Sequence, residues 1–206
     1  GPHTPLSGGS PANTSDGVFH RLDGSEVSAA MMRQSEYFPY VDTGEYAAVE
    51  LPYDGGELSM VIIVPAAGRF EDYEDSMDFA AVQDAIQGLS GTRVILSMPR
   101  FELETSFSLS DALKGLGMGV AFDSSSADFS GMSEEEDLYI TDVIHKAFVD
   151  VDEAGTEAAA ATAVIVGATS APTEPVELTI DRPFVFLIRD IQTDTVLFAG
   201  RVTDPA

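Results

Sequence analysis

Residues His145–Pro175 read HKAFVDVDEAGTEAAAATAVIVGATSAPTEP, and the fold turns on how this stretch is read. Its middle, Gly155–Ala163 (GTEAAAATA), is a run of small residues after an acidic strand and ahead of an apolar one. A surface helix would show long-side-chain helix formers and i,i+4 charge pairs, and the run has neither. A linker would be Gly/Ser-rich or charged, and a packed helix would carry an apolar stripe. Read with a period of two, Thr156, Ala158, Ala160, Thr162, Val164 and Val166 fall on one side, all small or β-branched. Glu157 falls on the other, solvent side. The stretch suits two states: an exposed loop, and a strand that slides between two others with no bulky side chain to block it.

Working outward, Leu138–Val151 alternates Tyr139, Thr141, Val143, His145, Ala147 and Val149 with Leu138, Ile140, Asp142, Ile144, Lys146 and Phe148, which predicts one long strand. Downstream, Phe184–Arg189 and Val196–Val202 read as two strands joined by the polar turn Gln192-Thr193-Asp194. Toward the N-terminus, Val18–Leu22 and Val27–Gln34 flank Asp23-Gly24 as a hairpin, and Tyr46–Tyr53 with Leu58–Val64 form a second. Met60–Val64 is apolar on both faces and belongs in mid-core. Residues 68–91 read as helical, with Asp78 as cap and Phe79, Val82, Ile86 and Leu89 on one face. Thr92–Leu103 reads as a long strand in which Pro99 marks a bend or a position that needs no ladder donor. Ser108 caps a second short helix with Leu109, Leu113 and Leu116 inside and Gly115 and Gly117 ending it. Residues 1–15 read as a flexible lead-in, and 16–206 as a β-rich α+β domain, although two domains are possible on length alone.

Ten basic residues against 35 acidic ones give a net charge of −25, so nucleic acid and anionic membrane surfaces are excluded as partners. The acidity fits either a salt-tolerant, halophile-type surface or a merely acidic mesophilic one. No cysteine is present, which removes disulfides, thiol nucleophiles and thiolate metal sites. No apolar run approaches the roughly 20 residues of a membrane span. The opening GPHTPLSGGSPANTSDG has neither the basic region nor the apolar core of a signal peptide. His20 and His145 would supply a hydrolytic triad only beside a nucleophile elbow, and no Gly-x-Ser-x-Gly occurs. His145, in mid-strand among apolar residues, is expected to be a satisfied structural histidine. The acidic runs Glu71–Asp78 and Glu134–Asp137 lack the ligand spacing and central glycine of a calcium loop and read as solvated charge. The expectation is no metal, no cofactor and no enzyme.

Several motifs carry a family resemblance. The stretch Glu153-Ala154-Gly155-Thr156-Glu157-Ala158-Ala159-Ala160-Ala161-Thr162 is one; Leu178-Thr179-Ile180-Asp181-Arg182-Pro183-Phe184-Val185-Phe186-Leu187-Ile188 is another. Supporting them are Met31-Met32-Arg33-Gln34, Leu51-Pro52-Tyr53, Ala127-Asp128-Phe129-Ser130-Gly131-Met132, His145-Lys146-Ala147-Phe148 and Phe198-Ala199-Gly200-Arg201-Val202. Together, from about Asp16 to Pro205, they resemble the serpins, the serine protease inhibitor family.

The resemblance implies a serpin-like fold of mostly antiparallel sheets with a few helices and an exposed reactive-centre loop at about 153–175. It implies a suicide mechanism in which a protease cuts the loop and the cut loop inserts into the large sheet, trapping the acyl-enzyme. Glu153, Gly155, Thr156, Glu157, Ala158, Ala159, Ala160, Ala161 and Thr162 would form the hinge. Family spacing puts the scissile bond at Thr169–Ser170. Ala168-Thr169 at the cut suits an elastase-like or subtilisin-like pocket rather than a trypsin-like one. By the same resemblance Arg100 pairs with Glu153 where the loop enters the sheet, and His145 lies beneath the sheet centre. Measured against the family, the N-terminal helices and the first three strands of the large sheet are absent from these residues. The N-terminal half of the same domain is therefore an expected partner, alongside the target protease. The resemblance also implies an extracellular or cell-surface location. A non-inhibitory binding or storage serpin, and an inactive fragment, are the competing readings; the Ala-rich hinge argues against the first of these.

Overall fold

The computed structural model describes residues 13–53, 55–133, 137–152 and 174–206. In chain order the strands are β1 Thr14–His20, β2 Glu26–Asp42, β3 Tyr46–Pro52, β4 Leu58–Pro65, β5 Ser90–Pro99, β6 Phe101–Ser108 and β7 Ile144–Val151, then β8 Val176–Thr179, β9 Phe184–Asp190 and β10 Val196–Val202. Helices α1 Phe70–Ser76 and α2 Phe79–Gln87 follow β4, and α3 Ser110–Leu113 follows β6. Two compact units result, Gly1–Phe101 with Asp150–Ala206, and Glu102–Val149.

The first unit holds an eight-stranded sheet in the order β10-β9-β4-β3-β2-β5-β8, with β1 paired to the first part of β2. Every pairing is antiparallel except β5 with β8. Asp23-Gly24 turns the chain as expected: Gly24 takes φ 79°, and the Asp23 carboxylate accepts from the Ser25 N–H at 2.8 Å. Met60–Val64 is fully buried, because β4 lies between β3 and β9 and both its faces are covered. Val82 and Ala85 of α2 seal one face against Ala48, Val61, Ile63 and Leu187. Phe101, Phe184 and Phe186 cluster elsewhere in the unit, with ring centroids 5.5 Å apart. Burying one such ring contributes roughly 1.5–3 kcal/mol.

Gly200 sits opposite Phe186 across the β9–β10 ladder, and the phenyl ring occupies the space a side chain would need. A Cβ at Gly200 would lie 2.5 Å from Cζ of that ring, whose residue is buried. Gly200→Ala is therefore expected to cost about 1–3 kcal/mol, read as a lower urea midpoint. At Gly17 the equivalent atom meets the flexible Met31 side chain, so Gly17→Ala should cost less. A Gly200→Ala protein as stable as wild type would contradict this packing.

Several expected elements differ in extent. The helical stretch 68–91 divides at Met77, whose extended ψ of 113° ends α1, and Asp78 caps α2 by accepting from the Ala81 N–H at 2.9 Å. Phe79, expected on the buried face, is 73% exposed, because at the first helical position it has no preceding turn to fold back on. The long strand over 92–103 is two strands of different sheets. Pro99 closes β5, and after Arg100 the chain begins β6 in a two-stranded sheet with β7. β7 starts at Ile144 rather than 138, while Ile140 donates to the Ala121 carbonyl. Leu116, expected inside a helix, is exposed: α3 stops at Leu113, and Gly117 takes φ 102° within the turn Lys114–Met118. β1 begins at Thr14, just inside the expected lead-in, and residues 1–12 lie outside the described residues.

Candidate functional site

The chain from Glu153 to Thr173 lies outside the described residues, so the site is built from its two anchors. β7 supplies the first. Among the described residues it pairs with β6 alone, and Ile144, His145, Lys146 and Phe148 along it are exposed. Only at its end does the strand sink: Val151 is fully buried. A strand whose second edge holds no partner presents a ready template for another strand.

β8 supplies the second anchor, and it belongs to the other sheet. Its four residues run parallel to β5 in the register Val94↔Val176 to Ser97↔Thr179. Leu178 and Ile180 are buried, and the Ile180 N–H donates to the Ser97 carbonyl at 2.8 Å. Beyond it the Asp181 carbonyl accepts from the His20 N–H at 2.7 Å. The Arg182 guanidinium donates through Nε to the Pro65 carbonyl at 3.0 Å and through Nη1 to Asp181 at 3.1 Å. The chain that follows Thr173 is thus held by backbone groups of β1, β4 and β5. This strand went unread in the sequence, although Glu177/Thr179 alternating with Leu178/Ile180 carries the period-two signal.

The other expected site residues are placed as follows. Arg100 is exposed on the link between β5 and β6, and its N–H donates to the Ala30 carbonyl at 2.8 Å. Its expected partner Glu153, the hinge residues Gly155–Thr162 and the bond Thr169–Ser170 lie outside the described residues. His145 is exposed on β7, its ring 5.4 Å from that of Phe107.

Two polar networks brace the frame. In the first unit, Arg189 reaches Glu50 Oε1 through Nε (2.9 Å) and Nη2 (2.6 Å), while the Ser59 hydroxyl donates to the same oxygen at 2.6 Å. Arg189 Nη1 also donates to Asp194, in the turn before β10. At that turn, hydrogen bonds from the Thr193 N–H and hydroxyl hold the Asp190 carboxyl below its usual range. In the second unit, the hydroxyls of Ser108 and Ser110 do the same for Asp142. A cleft of about 370 Å³ lined by His20, Arg21, Pro65, Phe70, Asp181 and Arg182 has its two arginines already paired, with Asp204 and Asp181. Among the described residues there is no group of three or more His, Asp or Glu side chains suited to a metal ion. No helix among them is long and apolar enough to cross a membrane.

Comparison with known proteins places this geometry. The family model "Serpin (serine protease inhibitor)" matches residues 10–205. Leukocyte elastase inhibitor A of Rattus norvegicus is 41% identical over 207 residues, 94% of this chain and 53% of that protein. An uncharacterized serpin-like protein of Thermococcus kodakarensis is 40% identical, over 94% of this chain and 45% of its own length. Human antithrombin-III is 36% identical, over 95% and 43%. The crystal structure of native protease nexin-1 with heparin superposes with a TM-score of 0.79 at 28% identity, covering 98% of this chain and 55% of the other. The chain spans about half the length of the curated relatives it matches.

Proposed function

Since this chain belongs to the serpin family, we propose that the protein carrying it is a suicide inhibitor of serine proteases, not a catalyst. The observation that carries the reading is a period-two run of small residues, Thr156–Thr162, strung between strands of two different sheets. A protease that cuts the loop leaves it tethered to β7, whose second edge holds no strand among the described residues. Insertion there gains about 0.5–1.5 kcal/mol per ladder hydrogen bond. Burial of Val164 and Val166 adds roughly 1.5–3 kcal/mol each. Summed over the strand, this rivals the whole stability of a domain, so the uncut form is held kinetically. The fixed β8 anchor supports the same reading: it lets the cut end at 153–169 move while the downstream end stays put.

Thr169–Ser170 is the proposed scissile bond. Ala168-Thr169 suits elastase-like or subtilisin-like pockets, and the name of the rat relative, leukocyte elastase inhibitor A, points the same way. The net charge of −25 favours basic proteases among these. The Glu153–Arg100 pair would hold the entry shut before cleavage, with a contribution set by its burial. The large sheet is completed by the N-terminal half of the same domain, and an extracellular or cell-surface location belongs to the same reading.

Full-length protein mixed with pancreatic elastase or subtilisin is expected to give a covalent complex that survives a denaturing gel. Mass spectrometry of the released peptide should begin at Ser170. Clean cleavage without complex would instead favour a non-inhibitory binding or storage role.

A further inference from the structure

The 206-residue sequence contains one asparagine, Asn13, and it opens the triplet Asn13-Thr14-Ser15. Turns that asparagine or aspartate could equally well make are made here by aspartate. Asp23 accepts from the Ser25 N–H at 2.8 Å, and Asp42 from the Gly44 N–H at 2.8 Å. Asp123 accepts from the Ser125 N–H at 2.8 Å, and Asp128 from the Ser130 N–H at 3.1 Å. Each of these turns uses a side-chain oxygen, which both residue types carry. What asparagine alone adds is an amide nitrogen. At position 13 that group is spent on no local contact: Asn13 is exposed, and no hydrogen bond joins its carboxamide to another described residue.

Asparagine, then any residue but proline, then serine or threonine is the acceptor pattern for N-linked oligosaccharide. Thr14 fills the middle position, and Ser15, also exposed, supplies the hydroxyl that the pattern requires. Thr14 and Ser15 are the first two residues of β1, so the chain is extended from the acceptor onward. In extended chain, residues two apart share a side, which puts the Ser15 hydroxyl on the side of Asn13. The place is also open. β1 pairs with β2 alone, and among the described residues no strand takes its second edge. We infer that Asn13 is a glycosylation site whose Nδ2 carries an N-linked oligosaccharide. The donor is a lipid-linked oligosaccharide, and a transferring enzyme of the exporting cell makes the bond. Asn13 Nδ2 bonds to the anomeric carbon, and the bond from that carbon to the lipid phosphate oxygen breaks. The lipid phosphate leaves with the electron pair, and one amide proton passes to a base of the transferring enzyme. This rests on the reading that the protein is extracellular or at the cell surface, where acceptors of this kind are displayed.

Mass spectrometry of full-length protein taken from its producing cells and their medium tests the site. The peptide that holds Asn13 is expected to be heavier than its sequence by the mass of an oligosaccharide, and fragmentation should place that mass on Asn13. Ser15→Ala, which keeps the asparagine, should lose the added mass, and Ser15→Thr should retain it. Both changes fall on an exposed side chain, and an unaltered urea midpoint would show that neither acts through the fold. Exported protein with Asn13 unmodified would overturn the site and leave the location standing. Protein found only inside the cell would overturn the location, and the site with it. A saccharide on Thr14 that survives Ser15→Ala, with Asn13 bare, would also overturn the inference.

Discussion

A Thr156→Arg protein is expected to be cut by its target protease at the wild-type rate and to form almost no covalent complex. Thr156 lies on the side of the Gly155–Ala163 run that carries only small or β-branched residues, the side that faces inward once the segment is a strand. Arginine there brings a long side chain and an unpaired charge into the sheet's interior. Its burial costs several kcal/mol, and each 1.4 kcal/mol is a factor of ten. The acyl-enzyme has a fixed time before water releases it, so a slower insertion is lost to turnover. The covalent fraction should fall by more than about tenfold, with cleaved inhibitor and active protease as products. Glu157→Arg, one residue on and facing solvent, should leave the fraction nearly unchanged. A Thr156→Arg variant that trapped protease at full yield would refute the inward assignment.

Glu50→Ala is expected to produce a large loss of stability in the eight-stranded sheet. The Glu50 and Arg189 side chains are 9% and 8% exposed, and they join β3 to β9 across β4. Removing the carboxylate leaves the buried guanidinium with only Asp194, which is 60% exposed, and strips the Ser59 hydroxyl of its acceptor. Breaking a buried pair from one side costs about 3–5 kcal/mol, because the survivor keeps its desolvation penalty. The urea midpoint should fall accordingly. The Glu50→Leu/Arg189→Met double variant removes both charges and should recover most of the loss, since apolar replacement of a buried pair is often close to neutral. Equal losses in the single and double variants would mean that packing, not charge, governs the site.

What the sequence made legible follows from where the signal is local. Met60–Val64 was readable because burial on both faces removes alternation, and Asp23-Gly24 because a tight turn with φ 79° needs glycine. Pro99 was readable as an irregularity, but its consequence was not: opposite Met31 it needs no donor toward β2, the Arg100 N–H still donates to the Ala30 carbonyl, and the chain then changes sheets. Periodicity placed Phe79 and Leu116 inside because it reads the face of a helix and not where the helix ends. The hinge reading rests on composition alone, strand-compatible small side chains at Thr156–Thr162, and those residues lie outside the described residues. The Asp142 cluster was not legible, because its partners sit 32 and 34 residues away and leave no periodic mark. The buried Glu50–Arg189 pair, 139 residues apart, was hidden for the same reason.

The central claim is that residues 155–169 are a loop that becomes a strand. It is tested most directly by thermal unfolding of the full-length protein before and after a single cut in the loop, under identical buffer and salt. A gained strand adds a ladder of hydrogen bonds and buries Val164 and Val166, so the cut protein should unfold at a markedly higher temperature than the intact one. An unchanged or lowered unfolding temperature after complete cleavage at Thr169–Ser170 would contradict it.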